Sequence, residues 1–447
     1  MKKNNQEGKN QKVLFYTGIS RAFRTTSIAH LYEISQVFPV ALLSEELDKE
    51  TENILKDKTL FPKLEEIIPV RQFTGEKRNL FSENIYVHKL AKSVIKNYKP
   101  DIVILPTDTF LFDLYLMRFA KKINATNIVL NSDIRFWTAK EMSQRTDLTN
   151  AHFRLPSFLP FPVRFQLMKV RKYLGYVLYN WFLPLLVGEK PFSGKSSRIL
   201  YSLPGERADF RIVCSEQDYN LSIKEGIPPQ KLMFLLHPMV RQEAKMFFKK
   251  ANILNPEKEP ENKTKILTLL FPQETYGFKR DKSSLINERE MLKKRIDIVK
   301  LVANAMEGWK IFIKPHPAIQ KTKEVKDVFR SLYPSVVFAD PADPIDKYIE
   351  MSDAIAGLPP ASSTLFTAAL QCPQKPILSL DLNKEIFGDF YKNLDGIEHI
   401  ESEEKLINIL GLIRDGKYEK EAKRNPGENK GFKDTVELLN YLIQTKT

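Results

Sequence analysis

Short runs of β-branched and aromatic residues, each apolar without a break and each followed by a stretch of helical period, recur along this 447-residue chain. Such runs fit strands buried on both faces, and a parallel sheet covered by helices is what buries them so. In the second half they are Lys265–Leu270, Trp309–Lys314, Ser335–Phe338, Asp353–Ala356 and Pro376–Leu380. Between them Met291, Ile298, Val299, Val302 and Met306 trace one helical face. Further helices are expected near Glu324–Leu332, over Ile345–Met351, and from Ser362 through Leu365, Phe366, Ala369 and Leu370. The first half repeats the theme with strands at Lys12–Tyr16, Val40–Leu43, Asp101–Leu105, Asn127–Leu130 and Phe210–Cys214. Helices are expected there after Thr25 or Thr26 and over Leu114–Ala120. The alternation predicts an α/β protein of two Rossmann-like, doubly wound domains facing a cleft.

Breaks in the pattern set the domain limits. Residues 255–264, rich in Pro, Glu, Asn and Lys, have no apolar period and read as a linker between a first domain, 13–254, and a second, 265–425. Residues 1–12 are polar and basic and read as a disordered tail, not a signal peptide. A last helical pattern within 426–447 is carried by Val436, Leu438, Leu439, Leu442 and Ile443. Cys214 and Cys372, the two cysteines, give neither a disulfide framework nor a zinc site and suit the cytoplasm.

The net charge of +14 asks for an acidic partner, and the basic residues are unevenly spread. Within 158–190, Leu167, Val170, Leu174, Val177, Leu178 and Trp181 recur at helical spacing, while Arg164, Lys169, Arg171 and Lys172 lie off that seam. Asn180, Pro184 and Gly188 cut the apolar run too short to span a bilayer. The pattern predicts a helix lying on the inner face of the cell membrane against anionic lipid, with an internal helix of basic outer face as the alternative. No nucleic-acid-recognition motif occurs, and charge alone does not imply that partner.

Two loops concentrate the candidate chemistry. Lys314, Pro315, His316 and Pro317 end one predicted strand. Ser362, Ser363 and Thr364 open the helix that follows another, where unsatisfied N–H groups and hydroxyls suit a phosphate. Parallel strands would bring both loops to one sheet edge. The loop after Lys265–Leu270, with Gln273 and Glu274, lies at the same edge and could contact donor or acceptor.

These residues, with Leu365–Ala369 and Lys375–Ile377 behind them, resemble the carboxyl-terminal domain of GT-B glycosyltransferases of bacterial surface polysaccharides. That group takes in polysialyltransferases, capsular Kdo transferases and CDP-glycerol glycerophosphotransferases. The segment from Ile212 through Gly226–Lys231 to His237 and Pro238 also resembles the end of a GT-B first domain. The resemblance implies a nucleotide-sugar donor, CMP-activated by preference, and a lipid-linked or growing glycan as acceptor, with no metal or other cofactor, and a helix within 426–447 that packs back on the first domain. It implies donor binding by His316, Pro317, Ser362, Ser363 and Thr364, with Lys314 adding charge, so that donors already in place stabilise the departing phosphate. His316 is also a candidate catalytic residue. An inverting transfer needs a base, and the acid-acid-Gly tripeptide of many sialyltransferases does not occur here. Asp133, after the Asn127–Leu130 strand, is the candidate, with Asp108 and Glu206 as alternatives; Arg21 and Arg24 could bind an anionic acceptor. Two other readings stand beside transfer: a UDP-sugar 2-epimerase-like isomerase, which shares the layout, and a non-catalytic nucleotide-sugar-binding protein.

Overall fold

The computed structural model describes residues 11–17, 27–44, 47, 49–70, 80–130, 156, 158–192, 205–214, 216–235, 247, 264–272, 277–278, 285–286, 288–316, 336–341, 343, 345–358, 364–372, 374–382, 396–420 and 431–446. The chain divides into two compact units, Met1–Ile253 with Asn429–Thr447, and Leu254–Glu428.

The first unit holds β1 (Val13–Tyr16), β2 (Val40–Ser44), β3 (Leu64–Pro69), β4 (Ile102–Leu105), β5 (Thr126–Leu130), β6 (Phe210–Val213) and β7 (Leu232–Phe234). They form one seven-stranded sheet in the order β3-β2-β1-β4-β5-β6-β7, with every pairing parallel. Every residue of β1, β2, β4 and β5 is buried, and all but Ser44, Thr126 and Asn127 are apolar, as strands covered on both faces favour. Its helices are α1 (Ile28–Val37), α2 (Lys49–Lys56), α3 (Leu80–Tyr98), α4 (Leu111–Lys122), α5 (Phe161–Val177), α6 (Leu183–Leu186) and α7 (Glu216–Lys224). One core joins Leu14, Leu43, Val103 and Val129 of the sheet to Val87 and Ala91 of α3 and Tyr115 and Phe119 of α4.

The second unit repeats the plan with β8 (Ile266–Phe271), β11 (Lys310–Pro315), β12 (Val336–Phe338), β13 (Ala354–Gly357), β14 (Ile377–Leu380) and β15 (Glu398–Ile400). Their order is β12-β11-β8-β13-β14-β15, again all parallel. A two-stranded antiparallel pair, β9 (Gly277–Phe278) with β10 (Leu285–Ile286), follows β8. The helices are α8 (Glu288–Ala305), α9 (Ile345–Met351), α10 (Thr364–Gln371) and α11 (Glu403–Arg414). Ile298 and Val302 of α8 and Leu406 and Leu410 of α11 close the core over Leu267, Ile311, Ala356 and Leu378. The helix expected from Ser362 begins at Thr364. The helix expected near Glu324–Leu332 lies outside the described residues.

α12 (Thr435–Lys446) returns the carboxyl terminus to the first unit, against α1. Its start is fixed by a buried carboxylate. Glu33 Oε2 accepts from both the amide and the hydroxyl of Thr435, at 3.0 and 2.6 Å. His30 Nδ1 lies 2.8 Å from the same hydroxyl, and Leu438, Leu439 and Leu442 are buried behind it.

Candidate nucleotide-sugar site

In the six-stranded sheet the strand order reverses beside β8, between β11 and β13. The carboxyl ends of strands at such a reversal leave an open crevice, because the connections diverge to opposite faces. Register fixes what stands there. Lys314 of β11 and Gly357 of β13 both pair with Leu270 of β8, so the two candidate loops leave the sheet at one level, with β8 between them. The His316 amide donates to the Phe271 carbonyl at 2.9 Å and the Leu358 amide to the Leu270 carbonyl at 3.0 Å, extending both pairings past the strand ends. The exits are two strand spacings apart, roughly 10 Å.

His316 is exposed at this edge. Lys314 is buried, and its amine donates to the carbonyls of Pro315 and Pro341 at 3.1 and 3.0 Å, with the Tyr348 ring 5.8 Å away. Burial pulls its pKa down, and the neighbouring Asp343 and Asp340 carboxylates oppose the shift. Reaching out from the sheet edge would break both carbonyl contacts. Thr364 is half-buried at the first position of α10. Leu365 beside it is 1% exposed and packs so tightly on β13 that a Cβ at Gly357 would lie 2.7 Å from its Cδ1. Gln273, Glu274, Pro317, Ser362 and Ser363 lie outside the described residues, as do Asp133, Arg21 and Arg24 of the first unit.

Asp108, an alternative base, follows β4 at the strand-order reversal of the first sheet. It is fully buried and accepts from the amides of Gly205, Arg207 and Ala208 at 2.9, 2.6 and 3.3 Å. Burial pushes its carboxyl up, and those amides and the Arg207 guanidinium oppose the shift. It is thereby committed to shaping the turn before β6, which a freely proton-exchanging base is not. Glu206 stands in that same turn, half-buried.

Sequence reasoning missed two groups. Arg295 of α8 is fully buried with its guanidinium 4.9 Å from the Phe271 ring, a permanent cation near the end of β8. Its place on the Met291, Ile298, Val302 face was the available signal. Asp381, His399 and Glu401, at the ends of β14 and β15, bring one ligand atom each within 4.8 Å of one another. His399 Nδ1 lies 3.4 Å from Ser379 Oγ and Nε2 3.7 Å from Glu401 Oε1.

The candidate membrane residues sit on α5 and the π-helical turn after it, with Lys169, Arg171 and Trp181 exposed and Arg164 and Lys172 half-buried. Of the predicted seam, Leu167, Val170, Leu174, Val177 and Trp181 face outward, while Leu178 packs half-buried against the core near the buried Asn180, Leu183 and Pro184.

No protein-family model matches the chain, and no curated protein matches it. Solved structures do. A protein assigned as a UDP-N-acetylglucosamine 2-epimerase from Listeria monocytogenes aligns over 98% of this chain and 97% of its own, with 12% identity and TM-score 0.54. The UDP-GlcNAc 2-epimerase from Methanocaldococcus jannaschii aligns over 98% and 99%, with 12% identity and TM-score 0.52. A UDP-N-acetylglucosamine 2-epimerase from Rickettsia bellii aligns over 97% and 96%, with 14% identity and TM-score 0.51. These likenesses do not support the narrower resemblance to polysialyl- or Kdo transferases. At these identities they establish the fold, which is two Rossmann-like domains of the GT-B type.

Proposed function

We propose that this chain is a nucleotide-sugar enzyme that holds its substrate's phosphates at the β8 edge of the second unit and works as a UDP-sugar 2-epimerase-like isomerase. One observation carries the reading: Lys314 and Gly357 stand level on either side of Leu270 at a strand-order reversal. End-to-end likeness to UDP-GlcNAc 2-epimerases favours isomerisation and a UDP-sugar over the expected CMP-sugar. His316 and the start of α10 would take the phosphates, and Ser362, Ser363, Thr364, Pro317, Gln273 and Glu274 are proposed to contribute to donor binding. Inverting a C–H centre needs a proton removed from one face and delivered to the other. Since Asp108 is locked in its turn, Asp133 is the proposed base. His316 is suited to proton transfer, or to the charge on a nucleotide phosphate that leaves C1 as the C2 proton is lost and returns to C1 as the proton is redelivered, and no step calls for a metal.

A second reading, transfer of the sugar to a lipid-linked or growing surface glycan, is favoured by the exposed apolar face of α5. It needs the chain peripherally bound at the cytoplasmic face of the membrane, with Arg21 and Arg24 proposed to meet an anionic acceptor. Incubation of UDP-GlcNAc and CMP-activated sugars in deuterated water, without acceptor, separates the two. Deuterium at C2 of an epimerised UDP-sugar supports the first; turnover only with added glycolipid supports the second. Melting temperatures with CMP, CDP, UDP and GDP test binding, where saturation at 100-fold over Kd raises stability by about 2.7 kcal/mol. No response to any nucleotide and no turnover would reject both.

A further inference from the structure

Val163, Leu167, Val170, Leu174 and Val177 of α5 follow one another at steps of 4, 3, 4 and 3 residues. On a helical wheel they fall within about 40° of a common line, yet their exposure runs from 37% to 62%. Trp181, Phe182, Leu185 and Leu186 continue the exposed apolar surface, and Phe158 precedes it. A patch of this kind on a folded chain marks a surface made to be covered.

Its end is fixed in the unit's core. The π-helical turn Leu178–Phe182 inserts a residue into the helical register and sends Asn180 inward, where its side chain donates to the Tyr176 carbonyl at 3.0 Å and accepts from Arg207 at 3.0 Å. Its own carbonyl accepts from the Phe192 amide at 2.8 Å. Asn84 donates to the Leu183 carbonyl and accepts from the Tyr115 hydroxyl, both at 2.8 Å. Held at that end, the apolar stripe faces outward.

Charge identifies what covers it. Arg164 and Arg171 flank the stripe on one side and Lys169 on the other, with Lys172 behind; Lys169 lies 4.6 Å above the Phe165 ring, its stem laid along apolar surface. From Asp147 to Glu189 the chain carries no acidic residue between. A second copy seated on the 4-3 seam would set these cations against their own counterparts, with no carboxylate at the flanking positions to pair them. An anionic bilayer takes both features: apolar side chains enter the acyl boundary, cations reach the headgroups, and Trp181 and Tyr173 suit the interface. Among the described residues no helix is long and apolar enough to cross a membrane.

We infer that α5 through α6 forms an in-plane docking surface for an anionic lipid bilayer. This goes beyond the catalytic reading and does not rest on it. The test is flotation of the full-length protein with phosphatidylcholine vesicles, with and without phosphatidylglycerol. Binding to the anionic vesicles, weakened by salt, is expected. The variant K169Q/R171Q should lose at least about tenfold in partition, and so should L167S/L174S/W181S, each with the wild-type melting temperature. Salt-insensitive wild-type binding, failure to float with anionic vesicles, or undiminished flotation of a folded variant overturns the proposal. So does a concentration-dependent dimer that L167S/L174S/W181S abolishes. Flotation requires no nucleotide, so it can succeed or fail whatever the sugar chemistry proves to be.

Discussion

Gly357→Ala tests the packing that shapes the β8 edge. The added Cβ would lie 2.7 Å from Cδ1 and 3.0 Å from Cγ of Leu365, well inside the carbon–carbon optimum of about 3.5–4.0 Å. Leu365 is 1% exposed, so it can give way only by repacking against buried neighbours at the start of α10. Overpacking of this size costs about 1–3 kcal/mol. Reduced freedom of the unfolded chain returns about 0.4–1 kcal/mol, leaving a net loss of at most about 2.6 kcal/mol, with about 1–2 kcal/mol as the central expectation. The second unit runs from 254 to 428, hence 428 − 254 + 1 = 175 residues, and its melting transition should fall by about 2–8 °C. Calorimetry gives the shift, and urea unfolding should show a lower midpoint at unchanged slope. Leu365→Ala alone should cost about 2–5 kcal/mol, but the double variant should cost less than the sum, by at least about 0.5 kcal/mol, because the clash is gone. A Gly357→Ala protein as stable as the wild type, or strict additivity in the double variant, would refute the claim that α10 is pressed onto the strand end.

Two further predictions concern the first unit. Arg211 and Asp218 are an almost fully buried pair, with Nη2 3.0 and 3.1 Å from the two carboxylate oxygens. Asp218→Ala should therefore lower stability by about 3–5 kcal/mol in urea unfolding, and adding Arg211→Leu should recover part of it; an Asp218→Ala loss below about 1 kcal/mol would contradict this. Asp113 is buried, and burial first, then the Asp108 carboxylate, holds its carboxyl well above the usual range, against the Phe110 amide. Between the unfolded value of about 4 and the raised folded one, folding takes up a proton, so this group's contribution falls as pH rises. Asp113→Asn should remove that decline and gain most at neutral pH; unfolding free energies at about pH 5 and about pH 8 that change equally in both proteins would sink the assignment.

The sheet strands show what local pattern can carry. β1, β4, β5, β8, β11 and β13 lie within one residue of their apolar runs because strands buried on both faces need apolar side chains at every position. β3 went unread for the converse reason. Only Leu64 of it is buried, and its two glutamates mask an edge strand. α3 keeps a helical period in Val87, Ala91, Val94 and Tyr98, yet it interleaves charges that conceal it. The His316 and Thr364 loops could be named from sequence, since strand-stopping prolines and a hydroxyl-led helix start are local signals. Their common level could not, because it depends on β8, some forty residues before one loop and ninety before the other, inserting between their strands.

The sequence by itself determined the parallel α/β plan, most of the strands and helices that build it, and an apolar stripe beside basic residues, since each is a matter of side-chain period over a few turns. Tertiary structure alone decided which groups are free to act. Asp108, an acid at a strand end, became a fastening for the turn before β6 once the 205–208 amides closed on it. Lys314 was drawn into the wall by two carbonyls. The α5 stripe, which by period alone fits a core helix equally well, was left facing outward because Asn180, tied to Arg207, took the inward direction. Burial and partnership depend on residues far apart in the chain, and no local pattern encodes them.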